Sequence, residues 1–156
     1  ALLLTGWFWN SPFPGPNENN LSMIDFVRLQ QDAAQYLESY MPSKQVVSAW
    51  PFSAEIRSPD FGYVEQPLHA IEVPGLHLTD LAAAHPGGSD VLVVYKRLMP
   101  LEGSPLDFPP LRGFLSRYYD YQPQASEEEI EDGLSFVLLK RWARGDQWIE
   151  IYVPEE

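Results

Sequence analysis

The sequence predicts an α/β fold: a three-layer or doubly wound, mostly parallel sheet that ends in a C-terminal antiparallel β-hairpin. Strand-like and helix-like segments alternate along residues 22–98, which favours parallel strands joined by right-handed crossovers. The short runs QVVSAW and VLVVY carry apolar residues on both faces, as buried parallel strands do. The segment 134–154 contains two further strand-like runs on either side of Gly145, where a hairpin turn is expected.

The first half of the domain begins with an amphipathic helix, predicted at 23–41. Apolar residues recur there at helical spacing, Ser22 and Asp25 form a capping-box-like start, and Pro42 ends the pattern. The elements that follow are a strand at 45–50, a short helix after Pro51, a turn at 59–62, a strand at 68–73, a helix capped by Thr79 and ended by the PGG at 86–88, and a strand at 90–98.

The second half begins with a proline-rich segment, 99–110, which is typical of a surface loop. Apolar residues on one helical face predict a helix at 110–120. Ser126 and Glu129 have the spacing of a second capping box, and we expect the short helix that they open to close at Gly133.

The N-terminal segment is the most apolar part of the chain. Residues 1–9 form a stub about half as long as the ~20 residues that cross a bilayer. Trp7 and Trp9 stand where polarity returns, as aromatic residues do at membrane interfaces. We interpret 1–21 as the end of a membrane helix and its linker, or alternatively as an arm packed on the domain; the remains of a signal peptide are a third, less favoured interpretation, because the segment has no small-residue cleavage site. Residues 22–156 are then a single soluble α/β domain.

Composition excludes several classes of function. The chain has 22 acidic and 10 basic residues and a net charge of −12, which opposes binding to nucleic acids and to anionic membrane surfaces. Cysteine is absent, which excludes disulfides, thiolate nucleophiles and cysteine-based metal sites. No glycine-rich loop follows the first strand, so nucleotide binding of the Rossmann type is disfavoured.

The histidines and carboxylates give no clear catalytic signature. His69, His77 and His85 are eight residues apart, which is not a metal-ligand spacing on one helix or strand. We therefore predict no metal site and no cofactor, and we assign no catalytic residue. Four carboxylates cluster in sequence near the expected carboxyl ends of the strands, where open α/β sheets bind ligands. These residues, among which a general acid/base pair would be found if there is one, are Asp60, Glu65, Glu72 and Asp80.

The most distinctive local segment is SAWPFSAEIRSPDFGYV, residues 48–64. Trp50 follows a predicted buried strand and Tyr63 follows a turn, so both aromatic residues are expected near the end of the sheet. Aromatic rings in such a position stack on sugar rings or fill the mouth of the sheet. Trp50, Tyr63 and Glu72 are the ligand-binding residues that we predict.

The order of these segments, from the capped helix through VVSAWPFSAEIRSPDFGYV to the final KRWARGDQWIEIY hairpin, resembles the extramembrane C-terminal region of bacterial multi-pass glycosyltransferases. These enzymes are similar to the dolichyl-phosphate-mannose protein mannosyltransferases and the aminoarabinose transferases. The resemblance covers residues 20–153 and consists of packing-type segments, without a catalytic motif.

The resemblance implies a non-catalytic, extracytoplasmic (periplasmic) domain of a membrane-attached glycosyltransferase that uses a polyprenyl-phosphate sugar donor. Its partners would be the transmembrane part of the same polypeptide and a glycan or the polyprenyl-phosphate sugar, and not nucleic acid. Two alternatives stay open: a membrane-tethered, sugar-binding module, and a small α/β enzyme of unknown reaction. Hydropathy of the complete reading frame distinguishes them, since many, one or no membrane spans are expected respectively.

Overall fold

The structure is a computed structural model that describes residues 22–84, 90–96, 108–119, 123–145 and 147–155. The helices are α1 (Ser22–Tyr40), α2 (Phe52–Arg57), α3 (Leu78–Ala83), α4 (Pro109–Tyr119) and α5 (Glu127–Leu134), with a 3₁₀ turn at Pro59–Phe61. The strands are β1 (Gln45–Ala49), β2 (His69–Val73), β3 (Asp90–Tyr95), β4 (Phe136–Arg144) and β5 (Gln147–Pro154). The predictions for 1–21, for His85 and the PGG after it, and for 97–107 lie outside the described residues.

The described strands form one mixed sheet in the order β2-β1-β3-β5-β4. β1 is parallel to β2 and β3, whereas β5 is antiparallel to β3 and β4. The predicted α/β class and the C-terminal antiparallel strands are therefore confirmed. Because β5 lies between β3 and β4, the hairpin of β4 and β5 extends the sheet beyond β3. Its turn residue Gly145 has a positive φ of 58°, which favours glycine.

Helices lie on both faces of the sheet. Tyr36 of α1 packs edge-on against Trp142 of β4, with 5.5 Å between ring centroids. The adjacent residue on β4, Arg141, forms an ion pair with Glu127 of α5. Because neighbouring residues of a strand point to opposite faces, α1 and α5 lie on opposite sides of the sheet.

α2 and α3 can be assigned to the two faces of the sheet in the same way. Phe26 of α1 and Phe52 of α2 both contact the ring of Tyr95, with centroids 5.9 and 6.4 Å away. α2 therefore shares its face of the sheet with α1. α3 packs against α5 on the other face. The arrangement is the three-layer one that the sequence predicts.

The hydrophobic pattern of α1 explains how the first layer is held. The apolar residues of α1 recur at helical spacing and are buried in the core, where α1 packs on β4 and β5. They are Phe26, Leu29, Ala33 and Leu37. Full burial of a side chain such as Leu37 contributes about 2 kcal/mol. The predicted helix is thus confirmed to within one residue at its ends.

The helices α3 and α5 test the caps that the sequence predicts. The capping box is confirmed, since the Glu129 backbone N–H donates to Ser126 Oγ (3.3 Å) and the Ser126 N–H donates to Glu129 Oε2 (2.9 Å). The cap assigned to Thr79 is wrong: His77 holds the N-cap position of α3, without a side-chain cap, and Thr79 lies inside the helix.

The end assigned to α5 is also wrong. Gly133 lies within the helix, which continues to Leu134 and ends at Ser135 in the left-handed conformation (φ 57°). A Cβ atom at Gly133 would lie only 3.2 Å from Leu78 Cδ1. The glycine therefore permits close packing between α5 and α3, a contact between distant segments that spacing in sequence does not reveal.

Candidate functional site

An open groove of about 780 Å³ runs between the C-terminal half of α1 and the loop at 62–66. We call it the α1 groove. Its lining residues are Gln35, Glu38, Ser39, Gly62, Tyr63, Val64, Glu65 and Gln66. Amide, hydroxyl and carboxylate groups thus face a single aromatic residue, Tyr63, which the sequence predicts as a ligand-binding residue.

The loop that forms one wall of the groove is fixed from both ends. The 3₁₀ turn before it closes at Gly62, whose φ of 77° is in the left-handed region that favours glycine. Glu38 Oε1 accepts the backbone N–H groups of Glu65 (2.8 Å) and Gln66 (2.6 Å). The Leu68 N–H donates to the carbonyl of Ile56 at 2.8 Å, which joins the loop to α2.

Behind Tyr63 lies a carboxyl group in an unusual environment. Glu55, on α2, accepts a hydrogen bond from the Tyr63 hydroxyl. The buried amide nitrogen of Gln30, in the orientation that satisfies its hydrogen bonds, lies 2.8 Å from Glu55 Oε2 and 3.2 Å from Oε1. None of the ion pairs among the described residues includes Glu55. Its described hydrogen-bond partners are therefore a phenol and an amide, both of them neutral.

This environment changes the titration of both groups. Burial raises the pKa of the Glu55 carboxyl from 4.5 to about 7, against the lowering effect of the hydrogen bond from Tyr63. Burial, the charge of Glu55 and the hydrogen bond to it together raise the pKa of Tyr63 to about 12. Glu55 therefore gains and loses its proton near neutral pH, directly behind the wall of the groove.

The structure does not bring the other two predicted ligand-binding residues to this groove. Trp50 lies in the turn after β1 and is 64% exposed, and its carbonyl accepts the Tyr95 hydroxyl at 2.6 Å. Glu72, on β2, accepts Ser53 Oγ at 2.9 Å and forms an ion pair with Arg57.

α2 separates Glu72 from the groove. Ser53 and Arg57, which contact Glu72, are one helical turn apart, whereas Glu55 is two residues from each of them. Residues two apart on a helix point about 200° away from each other around the axis. Glu72 and Tyr63 therefore lie on opposite flanks of α2, and the three predicted residues do not form one site.

The predicted carboxylate cluster is likewise divided. Glu65 lines the α1 groove, but Asp60 lies in the 3₁₀ turn beside Ser58 and Asp80 lies in the first turn of α3. No group of histidine and carboxylate side chains among the described residues is arranged to hold a metal ion. His69 is exposed on β2, and His77 Nδ1 lies 2.7 Å from the carbonyl of Pro123.

A second, smaller cavity of about 340 Å³ lies on the other face of the sheet. We call it the β4–β5 pocket. It is lined by Ala125, Ser126, Glu127, Arg141, Ala143, Trp148 and Glu150. None of these residues is among the ligand-binding residues predicted from the sequence, although the alternation of WIEIY on β5 places Glu150 on the same face as Trp148.

The polar end of this pocket is an ion-pair network. Arg141 and Glu150 stand opposite each other on β4 and β5, and Arg141 Nε donates to Glu150 Oε1 at 2.5 Å. Arg141 Nη2 also binds Glu127 Oε2 at 2.9 Å. The Tyr152 hydroxyl donates to Glu150 Oε2 at 2.5 Å, so both oxygens of this carboxylate, which is only 3% exposed, have partners.

The network shifts the titration of Arg141 and Tyr152 away from neutrality. The hydrogen bond to Glu150 raises the pKa of Arg141, and burial together with Glu150 raises the pKa of Tyr152 above its ordinary value. The β4–β5 pocket therefore contains an ion-pair network, in contrast to the titratable carboxyl behind the α1 groove.

Comparison of this chain with protein-family models, with curated proteins and with solved structures gave no match. In the ranges that the structure describes, no helix combines the length and the apolar character needed to cross a bilayer. Function is therefore inferred from the chemistry of the groove and of the pocket.

Proposed function

We propose that this chain is a non-catalytic accessory domain on the extracytoplasmic face of a membrane-attached glycosyltransferase, and that its α1 groove binds part of the glycan acceptor. The observation that carries the proposal is the lining of the groove, in which Tyr63 stands beside amide, hydroxyl and carboxylate groups. A sugar chain presents both C–H faces and hydroxyl groups. An aromatic side chain next to oriented polar groups is complementary to both surfaces.

The size of the groove agrees with such a ligand. Its volume of about 780 Å³ falls within the ~300–1,000 Å³ of typical small-molecule sites. Gln35 and Gln66 each supply amide donors and an acceptor, and Ser39 supplies a hydroxyl. These groups match the mixed donor and acceptor character of sugar hydroxyls.

The charge of the groove favours the acceptor glycan over the polyprenyl-phosphate donor. Glu38 and Glu65 line it, and none of its lining residues is a lysine or arginine. Phosphate recognition uses arginine, lysine or the N-terminus of a helix, whereas the groove follows the C-terminal half of α1. We therefore assign donor binding to the transmembrane portion of the same polypeptide.

Backbone-amide NMR on the chain tests the proposal. Neutral oligosaccharides built from glucose, mannose or galactose, and separately a short-chain polyprenyl phosphate, are added to the labelled protein. At least one neutral oligosaccharide is expected to shift the amides of Glu65 and Gln66, since these lie in the groove wall. If all the sugars leave these amides unchanged, or if the polyprenyl phosphate alone shifts them, glycan binding in the groove is refuted.

Matched glutamine variants on α1 provide the control. Gln35→Ala removes a lining amide and is expected to weaken binding by about tenfold, the equivalent of ~1.4 kcal/mol. Gln31→Ala, one turn away and outside the lining, is expected to bind as the wild type does. Equal affinities of the two variants would place the ligand elsewhere on the surface.

The small α/β enzyme is the second candidate function, and Glu55 is the observation that favours it. A carboxyl with a pKa of about 7 is suited to general acid/base chemistry near neutral pH. Glu55→Gln distinguishes the two functions when glycoside hydrolysis is assayed with the same oligosaccharides. An enzyme would lose its activity in this variant, whereas a binding domain would show none in either protein and would still bind.

A further inference from the structure

We propose that the β4–β5 pocket is a second ligand site, which binds a single neutral sugar ring. It is separated from the α1 groove by the sheet, because Arg141 and Glu150 face α5 while the groove borders α1. The two sites therefore lie on different faces of the sheet and share no lining residue.

The lining of the pocket combines apolar and polar side chains. Trp148, Ala125 and Ala143 supply the apolar part, and the two alanines are small. The position of Trp148 is fixed by the sheet, since its carbonyl accepts the backbone N–H of Lys96 at 3.0 Å. An aromatic side chain beside polar groups suits a ring with an apolar C–H face and a hydroxyl-bearing edge.

Arg141 supplies donors in a fixed direction. Its guanidinium binds Glu150 through Nε and Nη2 and Glu127 through Nη2. Among the described residues, none accepts a hydrogen bond from Nη1, so its two N–H groups remain for a ligand. The second oxygen of Glu127 provides an acceptor at the same edge.

The surrounding contacts pre-organise these groups. Glu150 is buried and hydrogen-bonded through both oxygens, which holds the guanidinium in one plane. The capping box of Ser126 and Glu129 fixes the first turn of α5, to which Glu127 belongs. Because these side chains are already ordered, less conformational entropy is lost when a ligand binds to them.

Charge selects a neutral ligand. Arg141 contributes one positive charge and Glu127 and Glu150 contribute two negative ones, so the pocket carries a net charge of −1. Phosphorylated and carboxylated sugars are repelled by the two carboxylates, and cationic ligands meet the half-exposed guanidinium. An uncharged ring of hydroxyl groups can accept from Arg141 and donate to Glu127 without either repulsion.

The indole N–H resonances of the chain report on the pocket. Glucose, galactose, mannose and xylose are titrated into the labelled protein, with glucose 6-phosphate and glucosamine as the charged comparisons. At least one neutral sugar is expected to shift the indole signal of Trp148 and not that of Trp142, which lies on the opposite face. Affinity for the phosphorylated sugar is expected to be at least about tenfold lower.

A cavity-filling variant tests the location without removing the ion pair. Ala143→Leu extends into the pocket from an exposed position and is expected to abolish the shift of Trp148. Val137→Leu, on the same strand but outside the pocket, is the control and is expected to bind normally. Failure of every neutral sugar to shift Trp148, preferential binding of a charged sugar, or normal binding by Ala143→Leu would overturn the proposal. Shifts at Glu65 and Gln66 report separately on the groove.

Discussion

Glu55, which is half-buried, and Glu150, which is buried, are two carboxylates with different partners. Each accepts a hydrogen bond from a tyrosine hydroxyl, Tyr63 in one case and Tyr152 in the other. The other described partner of Glu55 is the neutral amide of Gln30, whereas Glu150 is paired with Arg141. Burial raises the pKa of Glu55 to about 7, while the ion pair at Glu150 raises the pKa of the arginine.

The difference between the two carboxylates shows the effect of a neighbouring cation on a carboxylate that is shielded from water. Without a cation, desolvation favours the protonated form, and the group titrates near neutral pH. With a cation and further hydrogen bonds, the charge is balanced and becomes part of the fixed structure. The α1 groove is thus backed by a titratable group, and the β4–β5 pocket by a permanent ion pair.

The largest expected effect comes from removing the cation. Arg141→Met leaves Glu150 buried without its ionic partner, and we expect a loss of about 3 kcal/mol in the free energy of unfolding at neutral pH. Urea denaturation measures this loss. Arg144→Met is the matched control, because its ion pair with Asp32 is exposed and should contribute less than about 1 kcal/mol.

A double substitution sharpens the same prediction. In Arg141→Met/Glu150→Leu both charges are replaced by apolar groups, and most of the stability is expected to return. If the single Arg141 variant is as stable as the Arg144 control, the ion pair is not what balances Glu150.

The next largest effect is expected at Glu55, which belongs to none of the ion pairs among the described residues. Its pKa is higher in the folded state than in the unfolded state, so protonation of Glu55 favours folding. This contribution to the free energy of unfolding is present below about pH 4.5 and is lost as the pH rises through about 7. Glu55→Gln should therefore be more stable than the wild type by about 1–2 kcal/mol near pH 8. The difference should disappear near pH 4.5, and denaturation at several pH values measures it. A difference that does not change with pH would contradict the assigned shift.

A smaller effect is expected from Tyr63, the tyrosine that donates a hydrogen bond to Glu55. Tyr63→Phe removes the hydroxyl that donates to Glu55, and because this hydrogen bond lowers the pKa of Glu55, its loss should raise that pKa further. The cost in stability should be about 1 kcal/mol above neutral pH. Carboxyl-carbon NMR of Glu55 follows the titration directly. A pKa that stays the same or falls would show that the hydroxyl is not the donor.

The smallest effect is expected at Glu127, which is the more exposed of the two carboxylates that bind Arg141. Glu127→Gln removes the ion pair at the surface of the pocket but leaves Arg141 bound to Glu150. We expect a change below about 1 kcal/mol in the free energy of unfolding. A loss as large as that of Arg141→Met would mean that Glu127, and not Glu150, is the principal partner.

Local features of the fold could be predicted from the sequence because their causes are local. The apolar spacing of α1 and the capping box at Ser126 and Glu129 depend on residues three or four positions apart, and both are confirmed. Thr79 and Gly133 also carry local signals, but the start of α3 and the packing of Leu78 against Gly133 depend on distant segments.

The two candidate sites depend on contacts between distant parts of the chain. Tyr63 is a residue that the sequence predicts, and the structure places it in the groove, but its partner Glu55 and the Gln30 amide that binds Glu55 lie on two different helices. The pairing of Arg141 with Glu150 follows from the register of the hairpin, which fixes which residues stand opposite each other. Neither cluster is visible until the helices and strands are assembled.

Calorimetric titration of the chain with the neutral oligosaccharides measures glycan binding by the α1 groove itself. The wild type is expected to bind at least one of them. Tyr63→Leu, which removes the aromatic wall of the groove, is expected to weaken that binding by about tenfold or more. Absence of heat with every oligosaccharide, or equal affinity of Tyr63→Leu and the wild type, would contradict the proposal that the α1 groove binds a glycan.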